Sequence, residues 1–367
     1  MKRLLCIISN MNAGGAETFL MKLFRSIDRE QFLLDFCINV SLKNYYEDEI
    51  LNLGGKLFRI TSRSQGFFKH NRELFDVIKN NNYQFVLAVS SSATAFLDLR
   101  IAKIAGASIC SIRSSNSNIG LSLFSRIIQN IIRRLYIKYA DRLIAPSDLA
   151  AINLFGKHYL NDSRFVYLRN ALNVEKFKYS DCERENIRKE FGITEQLIVF
   201  GHVGRFYHQK NHEFLIDIFN EIHRRLPFSC FLLVGSGELE NHIKEKVEKL
   251  GLSNCVLFAG VRSDVNSILS AMDVFVFPSL FEGMPNTVIE AETSGLPCLI
   301  SDTITRDANV LGLVEYLSLE YSAEEWAEEA ITLSKRKKSR ETAFDDMKKA
   351  GYDISESAKV FINTVFQ

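Results

Sequence analysis

Pro278-Ser279-Leu280-Phe281-Glu282-Gly283-Met284-Pro285-Asn286-Thr287-Val288-Ile289-Glu290-Ala291 is the stretch whose reading decides the fold. The run before it, Val274 to Phe277, is wholly apolar and too short for a helix, as a strand buried on both sheet faces must be. A loop carrying Gly283 and Pro285 then delivers the chain into a helix beginning near Asn286. Strand, tight loop and helix in that order make half of a βαβ unit, so a parallel sheet covered by helices is expected. The start of that helix carries unpaired N–H donors and roughly half a positive charge, which suits a phosphate.

The same rhythm extends in both directions. Short apolar runs at 3–8, 33–39, 85–89, 108–112 and 142–145 alternate with amphipathic segments. After a polar stretch from Asn170 to about Gln196 the pattern restarts at 197–203, 230–234, 255–258, 274–277 and 298–301. The fold class expected is α/β with two Rossmann-like domains, 1–170 and 171–351, and a closing helix over 352–367 that packs back on the first. The 367 residues, 47% of them hydrophobic, are enough for two cores. Within 211–226, Phe214, Leu215, Ile218, Phe219, Ile222 and Leu226 share one helical face, as in a helix covering a sheet.

Composition removes several function classes. Lys plus Arg number 45 against 44 Asp plus Glu, a net charge of +1, so there is no global field to gather nucleic acid. The seven cysteines are scattered without a Cys-x-x-Cys pair, which favours free thiols over disulfides or a zinc site. The apolar run at the N-terminus is too short for a signal peptide, and no window reaches the about 18 uncharged residues of a membrane span. The expectation is a cytoplasmic protein, soluble or peripheral on the inner face of the membrane.

The chemistry sits at the strand exits. Glu282 precedes the expected phosphate site and Glu290 lies about one turn inside the helix, so both carboxylates can point toward the crevice at the strand ends and accept paired sugar hydroxyls. A solvated helix-start glutamate is the plain alternative for each. Upstream, Gly201-His202-Val203-Gly204-Arg205-Phe206-Tyr207-His208-Gln209-Lys210-Asn211 leaves another strand. Gly204 lets backbone approach a ligand, Arg205 can grip phosphate in a fork and Lys210 adds a point charge about one turn away. Val234-Gly235-Ser236-Gly237-Glu238 follows a third strand, and Gly235 and Gly237 put backbone beside a base or ribose, or else make a tight turn. Near the start, Asn12-Ala13-Gly14-Gly15-Ala16-Glu17 resembles a phosphate-cradling loop, but the Gly-x-Gly-x-x-Gly dinucleotide fingerprint is missing, which argues against a dehydrogenase.

In family order, the Gly14-Gly15-Ala16-Glu17 loop, Asp141 to Ser147, Asn170 to Phe177, Gly204-Arg205, Lys210-Asn211, Gly235-Ser236-Gly237, Phe258-Ala259-Gly260 and Glu282-x7-Glu290 ending in Gly295-Leu296-Pro297 resemble retaining glycosyltransferase family 4. The resemblance covers nearly the whole chain. It implies the GT-B fold, two Rossmann-like domains with parallel sheets facing across a cleft, the first for acceptor and the second for donor. Arg205 and Lys210 would then neutralise the donor diphosphate, and Glu290 would hold the ribose. Glu282 and the backbone of Gly283, Met284, Pro285, Asn286 and Thr287 would hold the donor sugar and β-phosphate. Gly14 and Gly15 would let the first domain close on the phosphates. Catalysis would rest on Arg205, Lys210 and Glu282, with retention of anomeric configuration and with UDP-sugar as the donor usual in the family. No Asp-x-Asp pair exists to hold a divalent ion, so no metal and no cofactor is expected. Many relatives carry a histidine after the fourth strand of the first domain; here the segment reads Ser111-Ile112-Arg113-Ser114-Ser115-Asn116, and Arg113 or Asn116 would take over that sugar contact or form a structural loop.

Over 124–139, Phe124, Ile127, Ile128, Ile131, Ile132 and Leu135 fall on one side of a helix, with Arg126, Arg133 and Arg134 on or bordering the other. Such a helix either covers a core or lies in an anionic membrane interface, as a lipid-linked acceptor would require. The function implied is transfer of a hexose or N-acetylhexosamine to a saccharide or lipid-linked acceptor in surface polysaccharide assembly. A nucleotide-sugar 2-epimerase of the same fold and a noncatalytic nucleotide-binding partner protein are the alternatives.

Overall fold

A computed structural model of the chain describes every residue except Ala13, 116–122, Gly283 and 337–338, and every remaining side chain except those of Leu123, Phe124 and Arg126. The chain divides into two compact units, Met1–Leu172 with Gly351–Gln367, and Asn173–Ala350.

The first unit is built on seven strands: β1 (Lys2–Ile7), β2 (Phe32–Ile38), β3 (Leu57–Arg59), β4 (Phe85–Ser90), β5 (Ile109–Ser114), β6 (Arg142–Ala145) and β7 (Phe165–Tyr167). They run parallel in the order β3-β2-β1-β4-β5-β6-β7. Alternate side chains of β1 go to opposite faces of the sheet. Leu4 and Cys6 join Phe36 in one core cluster, and Leu5 and Ile7 join Val86 in the other. The last helix, Ile354–Val365, adds Ile354, Ala358, Phe361 and Val365 to the Leu4 cluster. Each such apolar side chain is worth about 1.5–3 kcal/mol when fully buried. A short backbone splice holds the entry to that helix: the Leu172 N–H donates to the Tyr352 carbonyl at 3.0 Å, and the Ile354 N–H to the Leu172 carbonyl at 2.9 Å.

The second unit has six parallel strands, β8 (Ile198–Val203), β9 (Ser229–Val234), β10 (Val256–Gly260), β11 (Val274–Phe277), β12 (Cys298–Ser301) and β13 (Val314–Leu317), in the order β10-β9-β8-β11-β12-β13. In both sheets the strand order turns back beside the first strand, between β1 and β4 and between β8 and β11. Ligands of open parallel sheets bind outside the carboxyl ends at such points. The helix expected over 211–226 is His212–Arg225, and Leu215, Ile218, Phe219 and Ile222 are buried on it.

Every apolar run singled out in the sequence is a strand. β3, β7 and β13 carry no comparable signal because they are three- or four-residue strands at sheet edges, mostly half-exposed and of mixed composition.

Candidate functional site

Three strand exits of the second unit are stitched together by backbone hydrogen bonds. The exit of β8 lies in the middle, since β8 sits between β9 and β11. On one side the Gly204 N–H donates to the Val234 carbonyl at 2.9 Å, the Phe206 N–H to Ser236 at 3.1 Å and the Leu239 N–H to Phe206 at 3.0 Å. On the other, the Leu280 N–H donates to the Gln209 carbonyl at 2.9 Å, the Gln209 side chain to the Phe281 carbonyl at 2.8 Å and the Asn211 side chain to the Pro278 carbonyl at 3.2 Å. Asn211 takes a left-handed φ of 56°, which turns the exit of β8 into its helix.

This stitching gives two glycines a packing reason, in keeping with the tight turn that was the alternative to a place beside a base or ribose. A Cβ on Gly235, where φ is +132°, would stand 2.1 Å from the Gly204 carbonyl oxygen, and one on Gly237 would stand 2.6 Å from that of Phe206. Backbone packed on backbone requires both. Gly204 has another neighbour: a Cβ there would stand 2.7 Å from His202 Nε2 and 3.4 Å from the Lys210 stem.

Lys210 and Glu282 meet directly. The ammonium lies 2.5 Å from Glu282 Oε1 and 4.5 Å from the centre of the Phe277 ring, and the two side chains are only 18% and 12% exposed. Arg205 stands exposed on the same loop. The helix expected near Asn286 is Asn286–Thr293, and no side chain caps its N-terminus at Pro285, so its first N–H groups remain available to an anion. Met284, Asn286, Thr287 and Glu290 are partly exposed and Pro285 is buried. Gly283 lies outside the described residues.

Beneath Lys210 is a feature that the sequence reading passed over. His202 and His212 are buried with ring centres 4.9 Å apart, edge to face. His202 Nδ1 pairs with the Val276 carbonyl at 2.9 Å, but His202 Nε2 and both nitrogens of His212 have no partner. His212 stacks on Phe206 at 4.2 Å. Burial, then the proximity of His212, holds His202 well below the usual histidine range; burial and the charge of Lys210 push His212 down to about 4. Both rings are neutral at neutral pH. The signal was faint: two histidines ten residues apart around a strand exit, one inside an apolar run.

Glu292 was also missed. It is fully buried, two residues beyond Glu290, and accepts the N–H groups of Val310 at 2.9 Å and Leu311 at 3.0 Å, with that of Leu313 at 3.4 Å. Burial raises its carboxyl to about 7 against the lowering effect of these donors.

The remaining residues belong to the first unit. Gly14 begins the helix Gly15–Ser26 without a side-chain cap, and a Cβ on Gly15 would meet nothing within 4 Å. Arg113 corrects the expectation of a sugar contact. Its side chain is 0% exposed within β5, with the guanidinium 4.4 Å over the Phe19 ring, Nη2 donating to Asn170 at 2.6 Å, and Nε and Nη1 unpaired. Burial lowers it to about 9. Asn116, its alternate, lies outside the described residues.

The basic amphipathic segment forms the helix Leu123–Tyr136, but its apolar face divides. Ile132 packs on the core, whereas Ile127, Ile131 and Leu135 are more than half exposed and Ile128 is 39% exposed. Of the segment's charged and aromatic ends, the side chains of Phe124 and Arg126 lie outside the described ones. No helix among the described residues is long and apolar enough to cross a membrane, and none of their His, Cys, Asp or Glu side chains form a group of three that could hold a metal.

Comparison with known proteins follows the same lines. The family model described as glycosyl transferases group 1 matches residues 198–336, which holds all three stitched exits. EpsF of Bacillus subtilis, a protein assigned as a glycosyltransferase, is 33% identical over 368 residues, 99% of this chain and 96% of its own. The UDP-Gal:alpha-D-GlcNAc-diphosphoundecaprenol alpha-1,3-galactosyltransferase of Escherichia coli is 28% identical over 302 residues, 79% of this chain and 76% of its own. Among solved structures, Anabaena HepE in complex with UDP and glucose superposes with a TM-score of 0.72 over the whole of both chains at 17% identity, a likeness of fold.

Proposed function

This chain belongs to the group 1 glycosyltransferases, with the GT-B pair of Rossmann-like domains, and from that premise we propose that it moves a hexose or N-acetylhexosamine from UDP to a saccharide or lipid-linked acceptor, with retention, in surface polysaccharide assembly. The observation that carries the reading is the Lys210–Glu282 pair, with exposed Arg205 on the same loop as Lys210 and an uncapped helix start shortly after Glu282. A diphosphate meets two cations and a row of N–H donors there. Glu282 accepts a donor-sugar hydroxyl and Glu290 the ribose hydroxyls. At the helix start of the first unit the Gly14 N–H already donates to the Asn12 carbonyl at 2.8 Å, so Gly14 and Gly15 serve by letting backbone come close to phosphate, with the Gly15 N–H as donor.

The work asked of these residues is electrostatic. As the bond from the anomeric carbon to the diphosphate lengthens, negative charge grows on the leaving oxygen, and Arg205, Lys210 and the helix start stabilise it. Each preorganised donor of this kind is worth about 10²–10³ in rate. The acceptor hydroxyl attacks on the face the diphosphate leaves, and the departing phosphate takes its proton. No metal takes part in this reading, since the two cations do the neutralising. UDP and a lipid-linked acceptor are favoured by the name of the Escherichia coli relative.

The test is thermal stabilisation of the full chain by UDP, GDP, ADP and their sugar conjugates, with and without chelator. Stabilisation by UDP that survives chelator is the expected result, scaling as RT ln(1 + [L]/Kd). A shift with GDP or ADP alone overturns the donor, and one abolished by chelator overturns the metal-free clamp. The anomeric proton of the product, read by NMR, decides retention.

A peripheral site on the inner face of the membrane is part of the proposal. The exposed Ile127, Ile131 and Leu135 with Arg134 on the same helix support it, since an apolar face edged by basic residues gains about 1 kcal/mol per basic residue at an anionic surface. Sedimentation with anionic vesicles at low salt is expected, and Ile131→Asp abolishes it. Failure of the wild type to sediment removes this part alone.

A further inference from the structure

The donor reading leaves a groove of the first unit unused. It opens outside the carboxyl ends of β2 and β3, has a volume of about 470 Å³, and is lined by Asn39, Arg59, Thr61, Gln65 and Glu73 together with Leu42. That volume falls inside the range of roughly 300–1,000 Å³ found for small-molecule sites. Asn39 also lines an adjoining smaller cavity with Ser9 and Ser90, at the exits of β1 and β4, so the groove leads toward the point where the strand order turns back.

Its chemistry is polar but balanced. Arg59 already donates to Glu47 at 2.6 Å, and Glu73 accepts the Thr61 N–H at 2.6 Å. That hydrogen bond, ahead of the other influences, keeps Glu73 below the usual carboxylate range and therefore ionised. With one guanidinium and one carboxylate, each partnered, the groove has no surplus charge to attract an anion. What it has to offer is carboxamides, a hydroxyl and the second oxygen of Glu73, whose 3.8 Å ion pair with the exposed Lys69 leaves it room for a hydroxyl donor. Asn39 Oδ1 is buried with no partner, a situation that native structures resolve with a bound molecule or water. Leu42, 81% exposed at the rim, supplies an apolar surface. Paired hydroxyls and one apolar C–H face are the two recognition features of an uncharged pyranose, and the groove presents a complement to both.

We propose that this groove binds the terminal sugar of the acceptor, an uncharged saccharide held by Asn39, Gln65 and Glu73 and covered by Leu42. The assignment rests on the reading that the chain transfers a sugar to a saccharide. Saturation-transfer NMR of the full chain with methyl glycosides of glucose, galactose and N-acetylglucosamine tests it, alongside UDP thermal stabilisation as a separate readout of the second unit. One of the glycosides is expected to show transfer. Gln65→Ala, an exposed position where folding is not at stake, and Asn39→Ala should each weaken it roughly threefold to tenfold, as for the loss of one hydrogen bond, with the UDP shift unchanged. Absence of transfer from all three glycosides while UDP still stabilises the protein overturns the groove assignment, as does transfer that both variants leave intact. Transfer that the variants weaken, in a protein that no nucleotide stabilises, supports the groove and overturns the donor reading.

Discussion

Lys210 and Glu282, 72 residues apart in sequence, form a 2.5 Å ion pair with the Phe277 ring beneath the ammonium. A cation and a carboxylate so placed cannot be varied independently: removing either leaves the other largely desolvated and unpaired. Lys210→Ala and Glu282→Ala are each expected to lose about 2 kcal/mol of stability, and the double variant less than the sum. Turnover should fall about 10²–10³-fold in Lys210→Ala, mainly in kcat, because the charge it meets appears in the transition state. Wild-type turnover in that variant removes Lys210 from the chemistry.

The buried His202 and His212 make stability depend on pH on the acid side. The folded chain holds His212 at about 4 while the unfolded chain binds the proton near 6.5, so the unfolded state binds more protons between those values. Stability is full above about pH 6.5 and falls on acidification toward about pH 4, by about 3 kcal/mol for this ring. His212→Phe, which keeps the stack on Phe206, should flatten that slope in chemical denaturation measured across the range.

Glu292 acts in the opposite sense. Its folded carboxyl titrates near 7 against 4.5 for the ordinary group, so its contribution is complete below 4.5 and is lost as pH rises through 7. Glu292→Gln should remove this dependence. Glu292→Ala should cost about 2–3 kcal/mol at low pH by stranding the N–H groups of Val310 and Leu311, and less as pH rises through 7. An alanine variant as stable as wild type would show that water replaces the carboxylate.

Gly235→Ala places a Cβ against the Gly204 carbonyl at a φ of +132°, and should cost at least about 3 kcal/mol and distort the exit of β8. Gly192→Ala, at φ +66° with nothing within 4 Å, should cost about 1 kcal/mol. Thermal melts of the two distinguish crowding from backbone conformation.

Arg113→Met fills the same space over Phe19 without a buried charge. Stability is expected to stay within about 1 kcal/mol and turnover within about threefold. A large loss of turnover in a folded Arg113→Met would restore the sugar contact.

The wholly apolar strands were legible because a parallel strand covered on both faces must be apolar along its whole length, as Val274–Phe277 and Ser229–Val234 nearly are. Gly204, Arg205, Lys210 and Glu282 were legible as residues of strand exits, because a glycine or a charge directly after an apolar run marks where a buried strand ends. Edge strands such as Leu57–Arg59 were not, since half-exposed residues carry no strict pattern. Arg113 misled for a related reason: the sequence shows a polar residue at a strand exit but not the Phe19 ring and Asn170 carboxamide that enclose it.

Local spacing was therefore sufficient for the strand rhythm, the helices with one apolar face and the order of the motifs, because each depends on residues within one or two turns or pleats. Tertiary structure alone decided that Lys210 pairs with Glu282, that Gly235 yields to the Gly204 carbonyl, that two histidines share a buried space and that Asn39 lines a groove with Glu73. Those relationships join residues from ten to 72 positions apart, and their energies depend on burial and separation, which arise only when the strands have been placed side by side.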